Sequence, residues 1–106
     1  MNFQEASLQV NSRTFKLNHV ELENAMVAFF FEDNARMGTV AIAMPGSGEI
    51  ASGRSSVLVG SKYMMTTRAL AGKLAGKTGK MSIISMHTML DEKEALRIYS
   101  KLLDKI

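Results

Sequence analysis

Residues that could do chemistry are few in this chain, and they do not fall into working groups. Gly48-Glu49-Ile50-Ala51-Ser52-Gly53-Arg54-Ser55 nearly spells G-x-x-x-x-G-K-S/T, with Arg54 in the lysine position. A phosphate loop works because it opens a helix whose first amides face the anion. Here the next residues, Ser56-Val57-Leu58-Val59-Gly60, are β-branched and read as a strand, so the amides have no reason to converge. Gly76-Lys77-Thr78 repeats the end of the motif, but Ala71 stands where its first glycine would fall and the segment closes a helical pattern. His19 and His87 show no ligand spacing. Glu21 and Glu23, two apart on a strand, could hold a metal with Asp33, yet nothing indicates a further ligand. Ser47, Ser52, Ser55, Ser56 and Ser61 have no His–Asp pair placed to activate one of them. Cysteine is absent, which removes disulfides, thiolate catalysis and cysteine-based zinc sites together. The sequence predicts no enzyme, no cofactor and no metal.

The elements that would position these residues are easier to read. Ser56 to Thr88 runs apolar strand, helix, apolar strand. The helix, Lys62 to Lys77, carries no proline and places Tyr63, Thr67, Leu70 and Leu74 on one stripe. Gly79 terminates it, and Met81 to Met86 is the strand that follows. Before this unit, residues 3–10 and 13–22 read as strands joined by Asn11-Ser12, which is turn chemistry. Ala25 to Phe31 is apolar on both faces, as a strand at the centre of a sheet would be. The turn cluster Glu32-Asp33-Asn34-Ala35 then leads to a strand over Met37 to Met44, and the two runs read as an antiparallel hairpin. Residues 45–55 form the longest loop. After the last strand, Asp91 and Glu94 make a capping box for a helix with Ala95, Ile98, Tyr99, Leu102, Leu103 and Ile106 as its apolar stripe.

The expected fold is α+β: one domain over 1–106, with a mainly antiparallel six-stranded sheet and two helices in the order β-β-β-β-β-α-β-α. A chain of 106 residues, 46% hydrophobic and 22% charged, is ordinary for a single globular domain. The longest apolar run, Ala25 to Phe31, is far short of a membrane span. Residues 1–5 lack the basic-then-apolar pattern of a signal peptide. The expectation is a cytoplasmic protein with no membrane partner. A net charge of +3 is mildly basic, but the basic residues have no aromatic platform beside them, so nucleic acid is a poor fit.

One surface stands out as a contact candidate. Met65, Ala69, Gly72 and Gly76 recur at helical spacing opposite Leu70 and Leu74. Each glycine inside a helix costs about 1 kcal/mol relative to alanine, and something should offset two of them. Close packing against the chain's own sheet or last helix would do so, as would close approach of a second copy across a two-fold axis. Arg68, Lys73, Lys77 and Lys80 make the same region basic, either as a solvated face or as a contact for an acidic partner. The nine methionines fill core gaps or supply an adaptable contact surface. The protein-binding candidates, for a dimer or a client, are Met65, Arg68, Ala69, Gly72, Lys73 and Gly76. An alternative is a small ligand- or nucleic-acid-binding domain using the 45–55 loop or the basic helix.

Two stretches resemble the small proteasome-assembly chaperones of the subunit-3 and subunit-4 type. One is Arg36-Met37-Gly38-Thr39-Val40, a basic-Met-Gly-Thr turn into a strand. The other is Leu58-Val59-Gly60 followed by Leu70-Ala71-Gly72-Lys73-Leu74-Ala75-Gly76-Lys77-Thr78-Gly79-Lys80, an apolar strand and a final helix. The likeness spans about residues 14–106. It implies a protein that is not an enzyme, that forms a homodimer or pairs with a related chain, and that binds a proteasome α-type subunit while the α ring assembles. No motif in the 45–55 loop matches the family.

Overall fold

Asn11 and Ser12 both adopt positive φ (51° and 67°), the backbone that a two-residue hairpin turn needs to match the twist of its strands. The turn joins β1 (Gln4–Val10) to β2 (Arg13–Glu21), with Val10 opposite Arg13. β2 pairs antiparallel with β3 (Ala25–Glu32). β4 (Thr39–Met44), β5 (Arg54–Val59), α1 (Met64–Thr78), β6 (Met81–His87) and α2 (Glu92–Leu103) follow in chain order. The computed structural model describes residues 2–46 and 54–106. Most of the 45–55 loop, including Gly48 and Gly53, therefore lies outside the described residues. Arg54 and Ser55 begin β5, so a strand and not a helix follows the phosphate-loop-like stretch.

The sheet has six strands in the spatial order β1-β2-β3-β6-β4-β5, and it is mixed, because β3 and β6 run parallel. Four of its five strand pairs are antiparallel, so the sheet is mainly antiparallel as expected, with β3–β6 as its parallel pair. One expectation is corrected: β3 and β4 do not form a hairpin. β6 inserts between them, pairing parallel with β3 and antiparallel with β4. The connection at 33–38 has only to step across one intervening strand, about 10 Å, which so short a segment manages. β5 and β6 are likewise separated by β4, so β5-α1-β6 is a split crossover around an antiparallel strand. Inserting β6 gives Ala25 to Phe31 a hydrogen-bonded neighbour on each side and makes β3 the inner strand that its two-sided apolarity requires.

Gly38 marks where the inserted strand is reached. A Cβ on Gly38 would lie 2.0 Å from the Met86 carbonyl oxygen, so only glycine allows this approach. The Gly38 amide donates to Ser85 Oγ at 2.9 Å.

Both helices pack on the same sheet face. One contiguous core joins Phe15, Leu17, Ala28, Phe30, Ala41, Ile84 and Met86 of the strands to Leu70, Leu74, Ile98, Tyr99, Leu102 and Leu103 of the helices. Tyr99 meets Phe15 and Phe30 edge-on, with centroids 5.8 and 5.5 Å away, an arrangement aromatic quadrupoles favour. α1 begins two residues later than expected. Tyr63 caps it in a left-handed conformation, and its hydroxyl donates between the carbonyls of Thr88 and Leu90 (2.9 and 2.5 Å). Gly79, at φ 70°, ends the helix by donating its amide to Ala75. In α2 the Asp91 carboxylate accepts from the Glu94 amide at 2.8 Å, as a capping residue should.

Candidate functional site

The chemistry-bearing residues do not converge. His19 faces the helices and is buried, whereas His87 sits on the opposite sheet face, beside Phe31. Glu21 lies beside the start of β3 and is held by Lys80 Nζ at 2.8 Å; Asp33 lies past the end of β3. About 25 Å of strand separates them, so they cannot share a cation. Among the described residues no group of three potential metal ligands forms.

Glu32 is the most heavily bonded carboxylate among the described residues. It accepts from Arg13 Nε and Nη2 (2.8 and 2.9 Å), from Thr88 Oγ1 (3.1 Å) and from the Met89 amide (3.3 Å). The Arg13 guanidinium, ahead of the other donors, holds its carboxyl below the usual range. A carboxylate so fully paired is a fastener between β2, β3 and the β6–α2 turn, with little capacity left for a ligand.

The basic group of α1 and its C-terminal turn is also largely committed within the chain. Lys73 pairs with Asp104 at 3.1 Å. Lys77 donates to the Leu103 carbonyl at 2.9 Å. Lys80 bonds both Glu21 and the Leu22 carbonyl at 2.8 Å. These contacts dock α2 and the β2–β3 turn against α1, and they draw the cations away from a common outward patch. Of the six candidates on α1, the structure leaves Met65, Arg68, Ala69, Lys73 and Gly76 exposed, with Met65 at 78%. Gly72 is buried, although it shares their stripe; without a side chain it does not reach past its longer neighbours.

The other sheet face carries a larger feature. Residues of the parity opposite to the core pairs lie on it. In one row across the strands these are Val20, Val27, Ile83, Ile42 and Ser56. The next row is Glu5, Asn18, Phe29, Ser85, Val40 and Val59. On the three central strands, every position of this face is apolar except Ser85 and His87. No helix among the described residues lies on it. An antiparallel or mixed sheet with one solvated face ordinarily alternates apolar and polar residues, and here the alternation is missing.

At one end of this face Phe3, Asn18, Phe29, Phe31, Ala35, Arg36 and Met37 line a cavity of about 290 Å³. Phe3 and Met37 are 60% and 62% exposed. Phe3 leans on Phe29 with centroids 6.0 Å apart, and the Asn18 amide oxygen is buried without a hydrogen-bond partner.

Sequence reasoning missed this face. The signal was present in the two-sided apolarity of Ala25–Phe31, Met81–Met86 and Met37–Met44. Three such strands need two covers, and two helices on one side supply one. Comparison with protein-family models and with curated proteins finds no match. No helix among the described residues is long and apolar enough to cross a membrane.

Proposed function

We propose that this chain is a non-catalytic protein-binding module that acts in the cytoplasm as a proteasome-assembly chaperone of the subunit-3/subunit-4 type. The observation that supports a binding role is the apolar sheet face centred on half-buried Val27, Phe29, Ile42 and Ile83, on which no helix among the described residues lies. Apolar patches above a few hundred Å² on a folded domain mark interaction sites. The narrower chaperone reading rests on the sequence resemblance. The protein acts as a homodimer, or paired with a related chain, and holds a proteasome α-type subunit during α-ring assembly. Its mechanism is steric: it covers one client face, excludes wrong neighbours and leaves when the correct subunit competes. The exposed α1 surface around Met65, Arg68 and Ala69 is the proposed client contact, since a reversible contact suits a mixed apolar and charged surface.

The test is to tag the protein in its own cells, capture it and identify its companions by mass spectrometry. Proteasome α-type subunits without β-containing particles are the expected result, and Met65→Glu with Ala69→Arg should lower their recovery severalfold. Recovery of no α-type subunit refutes the chaperone reading.

A further inference from the structure

We propose that the cavity at the end of the open sheet face binds a small aromatic carboxylate, its ring among Phe3, Phe29 and Phe31 and its acid on Arg36. The site does not rest on the client contact of α1, which packs on the other face of the sheet.

The cavity is built from three directions. Its floor is sheet: Phe29 and Phe31 alternate onto one face of β3, and Asn18 of β2 is the cross-strand partner of Phe29. One wall is Phe3, just ahead of β1, whose ring leans on that of Phe29 with centroids 6.0 Å apart. The other wall is Ala35-Arg36-Met37, in the connection that steps past β6. That wall is anchored at its end, because the Gly38 amide donates to Ser85 Oγ at 2.9 Å and Gly38 lies close against the Met86 carbonyl. A hollow with a strand floor and an anchored wall is largely pre-formed, as small-molecule sites are.

The lining selects the ligand. A volume of about 290 Å³ equals that of about ten water molecules, which suits one or two fused rings with a short arm. Three phenylalanine rings and the Met37 thioether meet an aromatic guest through edge-to-face and sulfur contacts, which an alkyl chain cannot make. Arg36 is the one charged side chain among the described lining residues. It forms no ion pair among the described residues, although Glu32 and Asp33 line the hollow on its other side. Glu32 is already held by Arg13. A planar guanidinium fork matches one carboxylate in geometry as well as charge. Lys16, the cross-strand partner of Phe31, adds positive charge at the same end, whereas Glu5 stands beside Asn18. The acid of the ligand therefore points to Arg36.

Asn18 adds a further preference. Its Oδ1 is enclosed without a hydrogen-bond donor, and an acceptor left so is costly. A ring N–H on the ligand satisfies it once the amide turns about its last torsion.

The test is titration of the isotope-labelled full chain with indoleacetate as the probe, read by two-dimensional NMR and by calorimetry. The expected dissociation constant is on the order of 100 µM, ordinary for so small a ligand. Resonances of the Asn18 side-chain amide and of Phe29, Phe31 and Met37 should shift. Indoleacetamide, which lacks the charge, should bind at least about tenfold more weakly, and Arg36→Gln should lose as much for indoleacetate. Naphthaleneacetate keeps the rings without the N–H and should bind about three- to tenfold more weakly. Octanoate should bind more weakly still. Arg36 and Phe3 are exposed, so Arg36→Gln and Phe3→Ala should keep the fold, which circular dichroism checks, and Phe3→Ala should also weaken binding. Arg68→Gln, on α1, should bind as the wild type does. No binding to the wild type at about 2 mM, some twentyfold above the expected constant, overturns the proposal. So does a folded Arg36→Gln that binds indoleacetate unchanged, and so do resonance shifts confined to α1. Octanoate binding as tightly as indoleacetate overturns the aromatic class, and naphthaleneacetate binding as tightly removes the role of Asn18. Client capture is scored separately: loss of α-type subunits with indoleacetate still bound refutes the chaperone reading alone.

Discussion

His19 shows how much a single buried polar residue settles in this fold. It is 7% exposed, on the helix side of β2, and its Nδ1 has no hydrogen-bond partner. Gln4, Glu21, Met26, Lys77, Thr78 and Ile106 surround it. Burial pushes its pKa down, and Glu21 opposes this only in part. The native state therefore favours neutral imidazole, while the unfolded chain protonates near pH 6.5. Its contribution to stability is intact above that pH and is lost as pH falls from about 6.5 toward the lowered native value. Urea midpoints measured at intervals from pH 8 to 5 should be level at first and then decline, and His19→Leu should flatten the decline. Carboxylates held down by cations, Glu32 among them, act at lower pH and leave this window clear. A second residue-scale effect sits at Ser12. It holds φ 67°, a conformation that costs a side-chain-bearing residue about 1 kcal/mol and glycine almost nothing. Ser12→Gly relieves that cost but returns part of it through a freer unfolded chain, so the unfolding free energy should rise by about 0.5 kcal/mol, read as a slightly higher urea midpoint at unchanged slope. The sequence marked Asn11-Ser12 as a turn because both residue types tolerate turn geometry; the positive φ at Ser12 follows only from the twist of the paired strands.

At the scale of elements, local pattern carried far and pairing did not. The capping of α2 by Asp91, the termination of α1 at Gly79 and the inner position of β3 could all be read from neighbouring residues. Which strand lies beside β3 could not, because that choice is made by a segment some fifty residues downstream. Met81 to His87 matches Ala25 to Phe31 in length, and the two align position for position in parallel register. A hairpin between β3 and β4 would have left β6 without an inner slot for its own apolar faces, so burial outweighed the shorter connection. Gly38 is the local sign of that outcome. Its missing Cβ lets the entry to β4 pass the Met86 carbonyl. Gly38→Ala should therefore push β4 off β6 and cost about 2–3 kcal/mol, and hydrogen exchange should report the loss first at the β4–β6 amides. Equal protection of those amides in the variant would mean that the strand entry relaxes without strain.

For the whole molecule the deciding fact is a count of layers. Among the described residues, six strands and two helices make a sheet with helices on one face, and the central strands are largely apolar on both faces. The candidate stripe on α1 was legible because helical spacing displays it within a few turns. The sheet face was not, since its residues come from strands whose order the sequence does not state: Val27, Ile83 and Ile42 become neighbours only after β6 is placed between β3 and β4. If two copies share an apolar face of this kind, folding is coupled to association: native molecules are withdrawn from the folding equilibrium as dimers, and apparent stability rises with concentration by mass action. For a chain of this size, a hundredfold rise in protein concentration should lift the thermal midpoint by ~5–10 °C. Ile42→Lys should melt lower and at one temperature throughout. A wild-type midpoint that ignores concentration over that range would mean that the sheet face stays open in solution.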